Sequence, residues 1–176
     1  SMGCGLSGAS GAALANPTVH TFLIEGDGGC AQNLQELGTV AVHGLPLKML
    51  VFCNNGYASI RMTQRNYFQG SWIGCDVETG LGLPNWEQLA AAYGSPYARM
   101  SSDEPFAGRV AELFESDGPA FIEVPIDPEQ TYFPKIMSAV QPDGSMKSNP
   151  LHLMHPALEL DDEVVFPYLM TPRVEI

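Results

Sequence analysis

Two apolar segments, each ending in a glycine-containing polar cluster, constrain the fold of this chain more than any other feature. Residues 21–24 lead into the sequence GDG at residues 26–28, and residues 49–53 lead into NNG at residues 54–56. Two strands joined by a helical stretch form a βαβ unit, and the strands of such a unit are parallel. Both polar clusters are therefore expected at the carboxyl edge of the predicted sheet, where open α/β sheets bind ligands.

Further strand and helix patterns extend this unit into a larger α/β fold. Asn85 opens a capping box at the start of a helix that Gly94 ends, and Asp103 is predicted to cap the next helix. The inward residues of that second helix are predicted to be Phe106, Val110, Leu113 and Phe114. Short strands are predicted at residues 96–100 and 120–125. The order β-α-β-α-β-α-β predicts a parallel sheet with helices on both faces, a Rossmann-like three-layer sandwich.

The periodic patterns end near residue 128, which divides the chain into two predicted regions. Residues 1–128 form the α/β domain, and residues 129–176 form a tail whose prolines interrupt any regular spacing. The tail is too apolar for disorder, so we expect it to pack on the domain or on a partner. His152 and His155 are expected to have surface or packing roles rather than to lie over an active site.

The two polar clusters contain the oxygen ligands that a hard cation prefers. Asp27 has a carboxylate, Asn54 has an amide oxygen, and Gly56 can turn its carbonyl inward because it lacks a Cβ atom. Three protein oxygens leave about half of an octahedral Mg²⁺ shell for phosphate groups and water. The sequence therefore predicts a metal site at Asp27, Asn54 and Gly56 that carries a phosphorylated ligand.

The GDG sequence, followed after a helix by an asparagine cluster, resembles the thiamine diphosphate (ThDP) motif of the pyruvate decarboxylase and acetolactate synthase superfamily. The resemblance implies that ThDP and Mg²⁺ are the cofactors and that Met2 lies under the cofactor as the residue that bends it. The cofactor-binding residues implied in this way are Met2, Gly26, Asp27, Gly28, Gly29, Cys30, Asn54, Gly56, Tyr57 and Ala58. Cys53 stands where the family has the first asparagine of a pair, but that position does not bind the metal.

The resemblance also implies what the chain does and what it needs. Family enzymes act on 2-keto acids by decarboxylation or carboligation, and the glutamate that activates the cofactor belongs to a separate pyrimidine-binding domain. No catalytic residue is therefore expected in this chain, and Glu36 is predicted to be a structural helix residue. A pyrimidine-binding domain or subunit is the expected partner, and a homo-oligomer is the expected assembly. Acetolactate synthases proper have a Gly-Met pair where this chain has Ala58-Ser59-Ile60-Arg61, so the resemblance here is to acetolactate-synthase-like enzymes and leaves the substrate unassigned.

Two other functions are compatible with parts of the sequence. Gly3, Gly5 and Gly8 match the G-x-G-x-x-G fingerprint of dinucleotide-binding domains, but that fingerprint requires a preceding strand. A non-catalytic module that binds Mg²⁺ and a diphosphate is the other alternative.

Arg61 and Arg65 are predicted to be solvated charges, or else to receive an anionic substrate.

The composition argues against nucleic acids and membranes as partners and indicates a cytoplasmic location. The net charge is −12 with only eight lysines and arginines, which argues against nucleic acids and anionic membranes. No apolar run is long enough to cross a bilayer, and no secretory signal is visible. The four cysteines lack the spacing of a zinc site, so reduced thiols in the cytoplasm are expected.

Overall fold

A computed structural model describes residues 2–151 and 154–156 of the chain. It divides into two compact units, Ser1–Gln130 and Thr131–Ile176. No helix in the described parts of the chain combines the length and apolar character needed to cross a bilayer. His152 and the part of the tail beyond residue 156 fall outside the described residues, so the expectations for them concern residues that the structure does not describe.

The first unit is a parallel sheet with connecting helices, as the sequence predicts. Its strands are β1 (Thr21–Gly26), β2 (Leu47–Cys53), β3 (Tyr97–Arg99) and β4 (Ala120–Pro125), hydrogen-bonded in the order β1-β2-β4-β3. Its helices are α1 (Gly5–Ala15), α2 (Asp27–Cys30), α3 (Glu36–Val42), α4 (Ala58–Tyr67), α5 (Trp86–Ala92) and α6 (Gly108–Glu115). All three strand pairings are parallel, which confirms the predicted α/β class.

Helices cover both faces of the sheet because side chains of successive strand residues point to opposite faces. Helices α1, α3 and α5 contribute to one buried cluster, and α6 contributes to the other. On β4, for example, Phe121 packs in the first cluster and Ile122 in the second. This arrangement leaves the carboxyl ends of the strands open at one edge of the sheet.

Strand β2 begins at Leu47, two residues earlier than the apolar pattern predicts. The charged residue Lys48 interrupts that pattern, yet its side chain is buried within the strand. The Lys48 ammonium donates hydrogen bonds to the hydroxyl of Ser116 at 2.9 Å and to the carbonyls of Ser116 and Gly118. These acceptors lie in the turn between α6 and β4. They allow a charged residue to occupy a position where the sequence pattern favours an apolar one.

The connections between strands differ from the predictions at two places. The crossover after β1 is divided into α2, a 3₁₀ turn (Ala31–Asn33) and α3, since two glycines weaken its first turn. Helix α6 begins at Gly108, so the prediction that Asp103 caps it is wrong, and Phe106 is 65% exposed rather than inward. Pro105 disfavours a helical conformation at the residue before it, which delays the start of the helix.

The second unit contains short antiparallel ladders, although the sequence gives no clear strand signal there. Strands β5 (Lys135–Ile136) and β8 (Met154–His155) form one pair, and β6 (Ser138–Val140) and β7 (Met146–Ser148) form the other. A turn closes the second pair through a hydrogen bond from the amide of Gln141 to the carbonyl of Ser145. His155 lies in an exposed strand. The packing of the tail on the domain or on a partner stays a prediction.

Candidate functional site

A cavity of about 460 Å³ opens at the carboxyl ends of β1 and β2. It is formed by the start of α1, the β1–α2 turn, and the loop from β2 into α4. Its lining residues are Met2, Glu25, Gly26, Asp27, Gly28, Gly29, Asn54, Gly56, Tyr57, Ala58, Ser59 and Ile60. The structure thus brings together nine of the ten residues that the sequence analysis proposes for the cofactor.

Asp27 joins the two polar clusters through its carboxylate. One oxygen accepts a hydrogen bond from the amide of Gly28 at 2.7 Å, and the other accepts from the amides of Asn54 at 3.0 Å and Gly56 at 3.2 Å. The residue is 1% exposed. Burial raises the pKa of the Asp27 carboxyl above its usual range, and these backbone amides offset part of the rise. The carboxylate therefore fixes the loop after β2 against the end of β1.

Asn54 has a side-chain oxygen that lacks a hydrogen-bond partner among the described residues. Its side-chain Oδ1 is buried and accepts no hydrogen bond, although its backbone amide and carbonyl both have partners. Buried polar atoms are almost always satisfied, so an orphaned one in a cavity wall indicates a missing ligand or ion. Its neighbour Asn55 has a positive φ of 61°, a left-handed conformation that asparagine tolerates better than most residues.

Gly56 occupies a position that no residue with a side chain can adopt without strain. Its φ is +141°, and a Cβ atom there would lie 2.2 Å from the carbonyl oxygen of Cys75. The amide of Tyr57 donates to that same carbonyl at 2.8 Å, and Gly56 forms an isolated β-bridge with Asp76. The carbonyl of Gly56 accepts from the amide of Ala58 at 3.2 Å and retains a second lone pair.

Tyr57 closes one side of the cavity against Gly28. A Cβ atom at Gly28 would lie 2.4 Å from the Tyr57 ring, so the close approach of ring and backbone requires glycine. The Tyr57 hydroxyl accepts from the side-chain amide of Gln32 at 3.5 Å, and the same amide lies 3.9 Å from the sulfur of Met2. Met2 is half-exposed at the mouth of the cavity.

Cys30 is the one proposed cofactor residue that does not line the cavity. Its side chain is fully buried and belongs to the core cluster beneath the sheet edge. Burial, together with the nearby carboxylates of Glu25 and Asp27, raises the pKa of its thiol to about 12. The thiol of Cys30 therefore packs in the core instead of lining the cavity.

Glu25 lines the cavity, and the sequence analysis missed it. One carboxylate oxygen, Oε2, is buried without a hydrogen-bond partner. Burial raises the pKa of this carboxyl, while the amides of Gly5 and Leu6 at the start of α1 oppose the rise. Period-2 alternation could have found this residue, because Glu25 shares a strand face with Leu23, which packs in the core.

The remaining charged candidates lie outside the cavity. Arg61 is 3% exposed, and its guanidinium donates to backbone carbonyls, so the expectation of a solvated or substrate-binding charge is wrong for this residue. Arg65 is exposed, pairs with Glu129, and lies 5.9 Å from the centre of the Trp72 ring. Glu36 accepts a hydrogen bond from Thr39 at 3.0 Å within its own helix.

The donor set of the cavity favours a hard cation. No group of three or more histidine, cysteine, aspartate or glutamate side chains among the described residues is arranged to bind a metal. A metal at this site would instead use the Asp27 carboxylate, the Asn54 amide oxygen and a backbone carbonyl. Such an all-oxygen set, completed by phosphate and water, suits Mg²⁺ rather than zinc or copper.

Comparison with known proteins gives one consistent result. The sequence profile of the family described as "Thiamine pyrophosphate enzyme, C-terminal TPP binding domain" matches residues 1–124. Acetolactate synthase 3 of Brassica napus is 30% identical over 141 residues, which cover 78% of this chain and 22% of that protein. The large subunit of acetolactate synthase isozyme 1 from Escherichia coli is 30% identical over 135 residues, covering 77% and 24%.

A solved structure shows the same relationship in three dimensions. The thiamine diphosphate-dependent 4-hydroxybenzoylformate decarboxylase of Rhodococcus jostii superimposes with a TM-score of 0.63 at 27% sequence identity. The match covers 72% of this chain and 23% of the decarboxylase. The chain thus spans about a quarter of the length of the relatives that it matches.

Proposed function

The chain belongs to the family of C-terminal TPP-binding domains of thiamine pyrophosphate enzymes, and we propose that it binds the diphosphate of ThDP through Mg²⁺ in the cavity at the ends of β1 and β2. Thiamine pyrophosphate and thiamine diphosphate are the same cofactor. The metal ligands in this proposal are Asp27, Asn54 and Gly56, as in the sequence analysis.

The observation that carries the proposal is the orphaned Oδ1 atom of Asn54. It is buried with no hydrogen-bond partner among the described residues, and it belongs to a residue that lines the cavity and whose backbone amide donates to the Asp27 carboxylate. Coordination to a cation would satisfy this atom and would also favour the ionised form of Asp27, whose pKa burial raises. Both features support a cation in the cavity.

The residues of the chain would hold the diphosphate and exclude water from one side of it. A chain with a net charge of −12 requires a cation to offset repulsion of a diphosphate. Gly26 has open space where a Cβ atom would lie, so phosphate oxygens can approach the backbone of the turn there, whereas the Tyr57 ring and the Glu25 carboxylate occupy the corresponding positions at Gly28 and Gly29. Tyr57, Ala58 and Met2 border the remainder of the cavity. The bound ThDP would supply the carbon chemistry, which in this family acts on 2-keto acids.

The reaction we propose is decarboxylation or carboligation of a small 2-keto acid. Relatives named acetolactate synthase support the carboligation, and the solved decarboxylase supports the other outcome. The proposal includes a pyrimidine-binding domain or subunit that supplies the activating glutamate, since this chain corresponds to only a quarter of those proteins. It also includes assembly into a homo-oligomer in the cytoplasm.

Calorimetric titration of the chain with ThDP, with and without Mg²⁺, tests the metal site. We expect Mg²⁺-dependent binding by the native chain and by Asn66→Ala, a control that removes an exposed asparagine on α4. Asn54→Ala should lose at least about ten-fold in affinity, because ligand replacement or reorientation commonly costs that much. Equal affinity in Asn54→Ala and the control would overturn the metal assignment.

The same titration distinguishes the proposed ThDP-enzyme domain from a non-catalytic module that binds a diphosphate. A non-catalytic diphosphate module would bind Mg²⁺ and inorganic pyrophosphate as tightly as Mg²⁺ and ThDP, and adding a pyrimidine-binding chain would produce no activity. A ThDP-enzyme domain should prefer ThDP, and a pyrimidine-binding chain should restore turnover of a 2-keto acid. The structure offers the dinucleotide alternative no support, because Gly5 and Gly8 lie within α1 rather than in a turn between a strand and a helix.

A further inference from the structure

Arg61 is the most deeply buried arginine side chain among the described residues, and it is directly beneath the proposed metal loop. It lies in the first turn of α4 and is 3% exposed. An arginine is seldom buried to this degree unless its guanidinium has specific partners. The nature of those partners therefore indicates what the residue does.

All the hydrogen-bond acceptors of Arg61 are backbone carbonyls at the carboxyl edge of the sheet. Nη2 donates to Asn54 at 2.8 Å and to Pro128 at 3.0 Å, and Nη1 donates to Asn55 at 3.3 Å. Two acceptors belong to the loop after β2, and the third belongs to the segment that follows β4. The planar guanidinium can reach several carbonyls at once, which a lysine ammonium on a flexible stem does less well.

The polar backbone atoms of the loop at residues 54–56 fall into two groups that have different partners. The amides of Asn54 and Gly56 donate to the Asp27 carboxylate, whereas the carbonyls of Asn54 and Asn55 accept from Arg61. The loop is thus held between the buried Asp27 carboxylate at the start of α2 and the buried Arg61 guanidinium in α4. The side-chain oxygen of Asn54 is buried and has no hydrogen-bond partner among the described residues in this arrangement.

A second contact holds the other side of the loop. The backbone of Cys75 and Asp76 packs against Gly56, and the amide of Tyr57 donates to the carbonyl of Cys75 at 2.8 Å. Hydrogen bonds from Thr79, together with the positive charge of Arg61, hold the pKa of Asp76 below its ordinary value. The Arg61 charge thus interacts with the Asp76 carboxylate as well as with the loop carbonyls, while its Nε atom is buried without a hydrogen-bond partner among the described residues.

We propose that Arg61 is a positioning residue, which orients the loop at residues 54–56 so that Asn54 Oδ1 and the Gly56 carbonyl face the metal. This inference rests on the proposed function, because the metal and the diphosphate belong to it. Arg61 touches neither group: it acts through the backbone carbonyls of Asn54 and Asn55. Its role is distinct from the substrate-binding role that its charge suggests in the sequence.

The test compares Arg61→Met and Arg61→Lys with Arg65→Met in the 176-residue chain. Arg65→Met is the matched control, because it removes an exposed arginine one turn further along α4. Two properties are measured: the affinity for Mg²⁺ in the presence of ThDP, and hydrogen exchange of the Asn54 and Gly56 amides without ligand. The amides of Met49 and Val51 in β2 report on the core.

We expect Arg61→Met to weaken Mg²⁺ binding by about 10- to 100-fold, as is typical when a group that orients a metal ligand is lost. Exchange of the Asn54 and Gly56 amides should accelerate at least ten-fold relative to the core amides. Arg61→Lys should give intermediate values for both, and it serves as the folded variant if Arg61→Met unfolds. Arg65→Met should match the native chain.

The two measurements distinguish the possible failures. If the native chain and Arg65→Met bind no Mg²⁺ with ThDP, the proposed function fails, while hydrogen exchange still reports whether Arg61 holds the loop. If Arg61→Lys and a folded Arg61→Met bind Mg²⁺ as the native chain does, with unchanged loop exchange, the positioning role is overturned. Uniformly faster exchange in loop and core alike would make Arg61 a general stabilising residue and would also overturn it.

Discussion

Asp27 and Asn54 differ in how the protein around them uses their polar atoms. Asp27 accepts hydrogen bonds from three backbone amides, so its carboxylate is part of the folded structure even without a ligand. The side-chain oxygen of Asn54 has no such partner. Removal of the two side chains should therefore affect stability differently, although both belong to the proposed metal site.

We predict that Asp27→Ala lowers the free energy of unfolding by about 1–3 kcal/mol or more, because it leaves buried amides without an acceptor. Asn54→Ala should change it by less than about 1 kcal/mol in the ligand-free chain, since no hydrogen bond of its Oδ1 atom is lost. Urea unfolding followed by circular dichroism measures both values. Equal destabilisation by the two substitutions would contradict the distinction drawn here.

At the scale of elements, the ends of the helices decide how the sheet edge is arranged. Helix α5 begins where the sequence predicts, with the side chain of Asn85 accepting from the amide of Gln88 at 2.9 Å. Helix α6 begins five residues after Asp103, the predicted cap. The amide of Asp103 donates instead to the hydroxyl of Ser101 at 3.2 Å, within an exposed loop.

Substitutions of Asn85 and Asp103 give a matched prediction about helix capping. Asn85→Ala should lower the free energy of unfolding by about 1 kcal/mol, because it removes the N-cap acceptor of α5. Asp103→Ala should change it by less than about 0.5 kcal/mol, as is usual for an exposed residue with no structural role. Urea unfolding of both variants is the measurement. A loss of about 1 kcal/mol in Asp103→Ala would show that the residue does stabilise α6.

At the scale of the whole molecule, one face of the sheet carries exposed aromatic and aliphatic side chains. Phe22 and Ile24 on the edge strand β1 are 52% and 66% exposed. Phe114 of α6 stacks on Phe22 with ring centres 5.7 Å apart and contacts Phe106 at the same distance. Contiguous apolar surface of this kind is typical of a contact with another protein chain or domain.

We predict that the isolated chain self-associates, binds ThDP weakly, and does not decarboxylate pyruvate by itself. Light scattering should show a dimer or a larger species, and Phe22→Lys should shift it toward the monomer, because a charge would disrupt the apolar contact. Val42→Lys, at an exposed site on α3, is the control and should not. A carbon dioxide release assay measures turnover.

A monomeric chain that decarboxylates pyruvate unaided would contradict this prediction. It would mean that a carboxylate within the chain activates the cofactor. Glu25 would then be the residue to substitute first, because it lines the cavity, whereas Glu36 lies outside it.

The sequence by itself determined the order of strands and helices along the first unit, its parallel sheet, and most residues of the candidate site. Apolar runs, glycine clusters and the cap of α5 are local patterns, and backbone geometry converts them into structure without long-range information. The placement of 26–28 and 54–56 at one edge follows from the connectivity of a βαβ unit, so it also could be predicted.

Only the tertiary structure decided which side chains enter the cavity and which support it. Arg61 is buried because its guanidinium meets the carbonyl of Pro128, 67 residues away in the chain. Gly56 is fixed by the backbone of Cys75 and Asp76, and Cys30 turns into the core rather than the cavity. Such contacts join segments that are distant in sequence, and no local pattern encodes them, because they depend on how the loops pack at the edge of the completed sheet.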